Sequence, residues 1–137
     1  MKSIKPGPVA VIGAGVIGGG WTARFLLNGI DVKIHDPNPE AGRRLREMIA
    51  NAERAWDRLT SAPLPKKGSL SFCGTIQEAV DGAVFIEECI PENLELKRKI
   101  LNEIETGAAT DAPIGSSTSG IRPSEMQSEM KHPERLL

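Results

Sequence analysis

Tyrosine is absent from this chain of 137 residues, and its aromatic side chains are limited to three phenylalanines and two tryptophans. So few aromatic residues argue against a surface that stacks nucleic-acid bases. Neither sign of charge is in excess, because 17 basic and 18 acidic residues give a net charge of −1. No apolar run approaches membrane-spanning length, and the short polar start of the chain does not resemble a secretion signal. We therefore expect neither a nucleic-acid partner nor a membrane partner.

Cysteine and histidine are scarce as well. The two cysteines, Cys73 and Cys89, form no C-x-x-C pair and have no histidine at metal-ligand spacing. Both stand in apolar, strand-like surroundings, so we interpret them as buried free thiols. This usage is typical of a reducing compartment, which predicts a cytoplasmic protein without a metal site.

Glycine, in contrast, is concentrated near the start of the chain. An apolar run at residues 9–12 predicts a buried strand, and Gly13, Gly15 and Gly18 follow it as G-x-G-x-x-G. In this pattern the first glycine permits a tight turn, the second lets a pyrophosphate approach the main chain, and the third lets a helix pack close to the strand. The N–H groups at the start of that helix favour an anion. The predicted pyrophosphate-binding residues are Gly13, Ala14, Gly15, Val16, Ile17 and Gly18.

A carboxylate completes this pattern. A second apolar strand, residues 31–36, ends in Asp36, which lies 18 residues after Gly18. A carboxylate at this distance accepts hydrogen bonds from the ribose hydroxyls of adenosine and would repel a 2′-phosphate. Pro37 and Asn38 follow it, with no arginine, so we predict NAD rather than NADP as the cofactor. The alternative is that the glycines only form a turn and Asp36 only caps the next helix.

Strands alternate with helices along the remaining chain, which predicts βαβ units, a parallel sheet and right-handed crossovers. We predict one domain over residues 1–137, of the α/β class, with a Rossmann-type doubly wound parallel sheet. The predicted strands are residues 8–13, 31–36, 69–73, 83–86 and 113–116, with a sixth opening at 135. The predicted helices are residues 16–28, 39–59, 75–80, 92–106 and 123–130.

Three helices carry apolar stripes, and two have recognisable starts. The predicted stripes are Ile17, Trp21 and Phe25 in the first helix, Leu45, Met48, Ile49, Ala52 and Trp56 in the second, and Leu96, Ile100 and Ile104 in the fourth. Asn38 is the predicted cap of the second helix, with Pro39 at its first position. Thr75 and Glu78 have the spacing of a capping box at the start of the third.

Four stretches carry a resemblance to a known family: residues 11–20, Asp36, residues 87–97 and residues 116–121. On these motifs, which are spread over nearly the entire chain, it is similar to the N-terminal NAD-binding domain of the 3-hydroxyacyl-CoA dehydrogenase family. The resemblance implies reversible oxidation of a secondary alcohol to a ketone, with transfer of a hydride to NAD.

The resemblance also implies roles for three further residues. Glu92 and Lys97 match positions that contact the nicotinamide side of the cofactor, and Ser119 matches the serine that hydrogen-bonds the substrate hydroxyl. Each has a simpler alternative: Glu92 as a favourable acid in the first turn of a helix, Lys97 as a solvated lysine, and Ser119 as a hydroxyl that satisfies a turn.

In the family, the general base is a histidine on the sixth strand, oriented by a glutamate. Neither His35 nor His132 matches that position in this sequence. We therefore expect this chain to be a fragment that lacks the base and the helical C-terminal domain, binds NAD weakly and is inactive by itself. The missing domain would also form the interface of a homodimer.

The loop after the fifth strand indicates the branch of the family. Ser117-Thr118-Ser119-Gly120 stands where the acyl-CoA enzymes usually carry Asn-Thr-Ser-Ser. This version, together with residues 20–25, is more similar to the branches that oxidise L-carnitine or gulonate. We expect L-carnitine to be the substrate and 3-dehydrocarnitine the product. A 3-hydroxyacyl-CoA or gulonate-type substrate remains open, as does a non-catalytic NAD-binding module.

Overall fold

Five parallel strands form one sheet in the computed structural model, which describes residues 7–137. The order across the sheet is β3-β2-β1-β4-β5. The strands are β1 Val9–Ile12, β2 Val32–His35, β3 Leu70–Phe72, β4 Phe85–Glu88 and β5 Ile114–Ser116. Because β1 pairs with both β2 and β4, the strand order reverses at β1.

Helices cover both faces of this sheet. They are α1 Val16–Leu27, α2 Ala41–Leu59, α3 Ile76–Val80, α4 Leu94–Gly107 and α5 Pro123–Met126, and two 3₁₀ turns follow at Gln127–Glu129 and Pro133–Arg135. One apolar core lies under α1 and α2, and a second lies under α3, α4 and α5. This arrangement confirms the predicted Rossmann-type doubly wound sheet.

The apolar face predicted for α1 is wrong for Ile17 and Trp21, although Phe25 packs against the core as predicted. Ile17 and Trp21 are 56% and 40% exposed, whereas the buried face carries small residues and two leucines, among them Gly18, Ala23 and Leu26. A Cβ atom at Gly19 would overlap the Met48 side chain of α2, so small residues bring α1 close to its neighbours. Spacing alone favours the large side chains as the core, but close packing here requires the small ones.

Two predicted boundaries are also wrong. The second helix begins at Ala41, after Glu40, and not at Pro39. Asn38 caps no helix: its side-chain Oδ1 accepts a 2.9 Å hydrogen bond from the Glu40 N–H in the turn before α2. The fourth strand, predicted at 83–86, ends two residues later, because Glu88 has buried partners that allow a charged residue inside the sheet.

The remaining elements match more closely. The capping box at Thr75 and Glu78 is confirmed, and Leu45 and Ile49 of the α2 stripe are buried. In α4 the buried residues are Lys97, Leu101 and Ile104, so Leu96 was wrongly assigned to the core. The predicted sixth strand is represented by a single parallel bridge between Ile114 and Leu136.

Candidate functional site

The three patterned glycines meet three different physical requirements. Gly13 has a φ of +101°, and a Cβ atom there would lie 2.7 Å from the Cys89 carbonyl oxygen. A Cβ atom at Gly18 would overlap the carbonyl oxygen of Gly13, so this residue sets the distance between α1 and the loop. A Cβ atom at Gly15 would meet nothing within 4 Å. Gly15 is therefore bordered by open space, into which a ligand can come close to the backbone.

The first turn of α1 is left free for an anion. Its N-cap residue, Gly15, has no side chain to accept hydrogen bonds, and the first turn contains no acidic residue. The first N–H groups of a helix lack partners within the helix. Together with the helix dipole, they favour a phosphate group at this position.

Asp36 is held beside this turn by the backbone. One carboxylate oxygen accepts a 2.7 Å hydrogen bond from the Ala14 N–H, and the other accepts a 2.8 Å bond from the Asn38 N–H. Each oxygen keeps further acceptor capacity for a ligand hydroxyl. The buried Ala14 donates its N–H to Asp36, so Ala14 helps to hold this carboxylate in position.

A cleft of about 680 Å³ connects these features at the carboxyl ends of β1, β2 and β4. This volume is in the range of small-molecule and cofactor sites. Its walls include Gly13, Gly15, Val16, Ile17, Asp36, Pro37, Cys89, Ile90, Glu92, Leu96, Ile100, Glu103 and Ser117. Of the predicted site residues, Ala14, Gly18, Lys97 and Ser119 lie outside this wall.

Lys97 is placed beneath the loop that follows β4. It is 1% exposed, and its ammonium group donates hydrogen bonds to Glu88 at 2.8 Å and to the Ile90 carbonyl at 3.0 Å. Glu88 also accepts a 2.7 Å bond from the Ile90 N–H and a 2.6 Å bond from the Ser116 hydroxyl. The alternative of a solvated lysine is therefore wrong, and this buried ion pair fixes the turn that leads into α4.

The neighbouring Glu87 points to the opposite face of the sheet, as alternation along a strand requires. Its carboxylate accepts a 2.6 Å hydrogen bond from the Ser117 hydroxyl, which in turn accepts a 3.0 Å bond from the Trp21 indole. Burial raises the pKa of Glu87, and it raises the pKa of the nearby Cys89 thiol to about 12. A thiol with so high a pKa is unreactive near neutral pH. Cys73 and Cys89 are both free but only half-buried, so the prediction that they are buried is wrong.

Glu92, in the wall of the cleft, contacts Ser119, which lies outside that wall. One carboxylate oxygen of Glu92 accepts hydrogen bonds from both the Ser119 backbone N–H and the Ser119 hydroxyl, each at 2.8 Å. The hydrogen bond from the Ser119 backbone is the main cause that lowers the pKa of Glu92, and the Ser119 hydroxyl and the Gly120 N–H act in the same direction. The two residues assigned to cofactor and substrate by resemblance are thus in direct contact.

The sequence predicts that residues 87–97 and 116–119 lie at this edge, but it assigns no role to Glu87, Glu88 or Ser116 and does not predict their pairing with one another. The available signal was topological: β4 and β5 are adjacent and parallel, so residues that follow them converge at one edge of the sheet. Two consecutive glutamates at the end of an apolar strand, opposite a run of hydroxyl residues, indicate hydrogen-bonded pairs across that edge.

Of the two histidines, His35 lies in the wall of the cleft at the end of β2, whereas His132 does not line the cleft. The Nδ1 atom of His35 is 3.1 Å from the Cys73 carbonyl oxygen, and His132 lies 3.4 Å from Glu134 through its own Nδ1 atom. Within residues 7–137, no cluster of three or more histidine, cysteine or acidic side chains could hold a metal ion. None of the helices in this range is both long and apolar enough to cross a membrane.

Comparison with known proteins gives one family. The model of the "3-hydroxyacyl-CoA dehydrogenase, NAD binding domain" family matches residues 8–137. A similar solved structure, at a TM-score of 0.85 and 34% identity, is a crystal structure of a 5-formyl-3-hydroxy-2-methylpyridine 4-carboxylic acid 5-dehydrogenase, which is described as an NAD⁺-dependent dismutase. The match covers 94% of this chain and 42% of that one.

Two similar sequences come from bacteria. An L-carnitine dehydrogenase/betainyl-CoA thioesterase of Rhizobium sp. is 61% identical over 127 residues, which is 93% of this chain and 26% of that protein. An L-carnitine dehydrogenase of Mesorhizobium japonicum is 55% identical over 129 residues, 93% of this chain and 35% of that protein. The chain therefore spans between about a quarter and about a third of these relatives.

Proposed function

Because the chain belongs to the 3-hydroxyacyl-CoA dehydrogenase family, whose NAD-binding domain it matches, we propose that it works in an enzyme that oxidises a 3-hydroxy acid. The observation that carries this proposal is the cleft in which the open backbone at Gly15 faces the ordered carboxylate of Asp36. These residues fit a dinucleotide, because the Asp36 carboxylate can accept hydrogen bonds from ribose hydroxyls and Gly15 leaves space for a pyrophosphate.

Each part of the chain has a defined task in the proposed reaction. The first turn of α1 binds the pyrophosphate, and Asp36 binds the adenosine ribose and disfavours a 2′-phosphate. NAD, when bound, accepts the hydride. On the nicotinamide side, Glu92 lies at the cleft in the turn before α4, and Lys97 of α4 acts through the same turn, which it holds by its hydrogen bond to the Ile90 carbonyl. Ser119 holds the substrate hydroxyl while a general base removes its proton.

We propose L-carnitine as the substrate. The support is the high identity to two proteins named L-carnitine dehydrogenase, together with Ser117 in the loop after β5. A 3-hydroxyacyl-CoA or gulonate is the alternative substrate. We further propose that the full-length protein is a cytoplasmic homodimer, as the family implies, and sedimentation of the purified protein tests the dimer.

A substrate panel on the full-length protein tests this function. L-carnitine, D-carnitine, L-gulonate and 3-hydroxybutyryl-CoA are each offered with NAD, and formation of NADH is followed. We expect the highest kcat/KM with L-carnitine, and a loss of about 10²-fold or more in Ser119→Ala. Ser128→Ala is the matched control, because Ser128 is an exposed serine whose hydroxyl donates a hydrogen bond to the Glu125 carbonyl. Equal activity of the Ser119→Ala variant and the wild type would remove Ser119 from the mechanism.

A further inference from the structure

Glu92 contacts the loop after β5 through more than one group. Besides the N–H and hydroxyl of Ser119, it accepts hydrogen bonds from the Gly120 N–H at 3.2 and 3.3 Å. A Cβ atom at Gly120 would lie 2.6 Å from a Glu92 carboxylate oxygen, so a larger residue there would require this carboxylate to shift. The loop is therefore shaped around the Glu92 carboxylate.

The backbone on both sides of Glu92 is fixed by hydrogen bonds of neighbouring residues. The Asn93 side chain caps α4 by accepting a 2.9 Å bond from the Leu96 N–H. Two residues before Glu92, the Ile90 backbone is bonded through both its N–H and its carbonyl to the buried Glu88–Lys97 pair. The carboxylate thus projects from a fixed turn toward a loop that has no helix or strand at this point.

The polarity of the Glu92–Ser119 hydrogen bond has a chemical consequence. An ionised carboxylate can only accept hydrogen bonds, and the same hydrogen bonds lower the pKa of Glu92. The proton of the Ser119 hydroxyl is therefore directed at Glu92. The lone pairs of Ser119 Oγ are left free to accept a hydrogen bond from a substrate hydroxyl.

We propose that Glu92 is a positioning residue for Ser119, which fixes the rotamer and the hydrogen-bond direction of the serine that holds the substrate hydroxyl. This inference rests on the proposed function and changes the role of Glu92 in it. Glu92 acts mainly through Ser119, and only secondarily through the cofactor. Because Glu92 and Ser119 are both exposed, their substitution does not open a cavity in the core.

The test is a double-mutant cycle in the full-length protein with L-carnitine and NAD. Glu92→Ala, Ser119→Ala and the double variant are compared by kcat, KM and the Kd for NAD. We expect each single variant to lose up to about 10²-fold in kcat/KM, and the double variant to lose no more than the worse single variant. The Kd for NAD stays within about twofold of the wild type.

Two further variants sharpen the test. Glu92→Gln keeps an oxygen that accepts from Ser119, so it recovers most of the activity lost in Glu92→Ala. Glu95→Ala is the matched control. Glu95 is an exposed acid in the first turn of α4, three residues after Glu92. Additive losses in the double variant, or a Kd for NAD that rises as much as kcat/KM falls, would overturn the positioning role.

A readout that needs no turnover separates this inference from the proposed function. Hydrogen exchange of the Ser119 and Gly120 amides is measured in the wild type, Glu92→Ala and Glu95→Ala. We expect faster exchange at both amides in Glu92→Ala only, whichever substrate the enzyme takes. A wild type inactive on every panel substrate refutes the proposed function, whereas unchanged exchange in Glu92→Ala refutes the positioning of Ser119.

Discussion

Three glycines of one helical region offer a matched set of substitutions to alanine. Gly15, Gly18 and Gly20 lie within six residues of each other, at the start of α1 or inside it. A Cβ atom at Gly18 would overlap the Gly13 carbonyl oxygen and lie 3.3 Å from the Cys89 side chain. At Gly15 and Gly20 the added atom would meet nothing within 4 Å. The same chemical change therefore has three different expected results.

The expected magnitudes follow from these contacts. Alanine is favoured over glycine inside a helix by about 1 kcal/mol, so Gly20→Ala raises the free energy of unfolding by about 0.5–1 kcal/mol. Gly18→Ala gains the same helix propensity but must move α1 away from a backbone oxygen, which cannot rotate aside. Overpacking costs about 1–3 kcal/mol or more, so the net effect of Gly18→Ala is destabilising.

Gly15→Ala separates binding from folding. Its φ of −71° suits alanine, and the added methyl group enters the open space next to the first turn of α1. We expect a free energy of unfolding close to that of the wild type, and an NAD affinity lower by at least about tenfold, or about 1.4 kcal/mol.

Urea unfolding of the three variants and titration of the full-length protein with NAD provide the measurements. Gly20→Ala serves as the control for helix propensity, because it adds the same methyl group on the exposed side. If Gly18→Ala were as stable as Gly20→Ala, the close packing of α1 on the glycine loop would be refuted. If Gly15→Ala bound NAD as tightly as the wild type, the pyrophosphate would have to lie elsewhere.

Three other predictions concern the carboxylates. Asp36→Asn removes the charge that repels a 2′-phosphate, so titration with both cofactors should show the NAD-to-NADP affinity ratio falling by about tenfold (~1.4 kcal/mol), and an unchanged ratio would contradict the role of Asp36. Lys97→Met leaves the buried Glu88 carboxylate without its cation, so urea unfolding should show a loss of about 3–5 kcal/mol, whereas a loss below about 1 kcal/mol would be typical of a solvated pair. The pKa of Glu87 is raised by burial in the folded state, so its contribution to stability is present below the unfolded pKa and is lost as the pH rises through the folded pKa. Glu87→Gln should therefore raise the melting temperature relative to the wild type at pH 8 and not at pH 4, and an equal shift at both values would assign the effect to packing instead.

The sequence predicts the first βαβ unit well, because each of its signals has a local physical cause. The tight turn needs Gly13, the helix packing needs Gly18, and the second strand places Asp36 at the same edge as both. Prediction is weaker for the faces of the helices. Periodicity identifies large apolar side chains in α1, but it does not show that a helix packed at short distance buries glycine and alanine instead.

The hydrogen-bonded pairs at the edge formed by β4 and β5 could not be predicted from local patterns. Glu87 and Glu88 resemble the exposed end of a strand in the sequence, since burial of a charge is unfavourable without a partner. Their partners are Ser117, Ser116 and Lys97, and the serines are about 30 residues distant in the chain. Such pairs follow only from the strand order, which places β4 beside β5. Leu96 was misassigned for a related reason: Lys97 takes the inward position of α4 to reach Glu88.

The pairing of these two loops constrains how the protein can be recombined. Three acidic side chains between residues 87 and 92 each bond a serine between residues 116 and 119. A chimera that imports one segment from a relative with different residues, and keeps the other, separates all three pairs in a single exchange. A chimera that takes both segments from the same parent preserves the three pairs. These two distant segments should therefore be exchanged together.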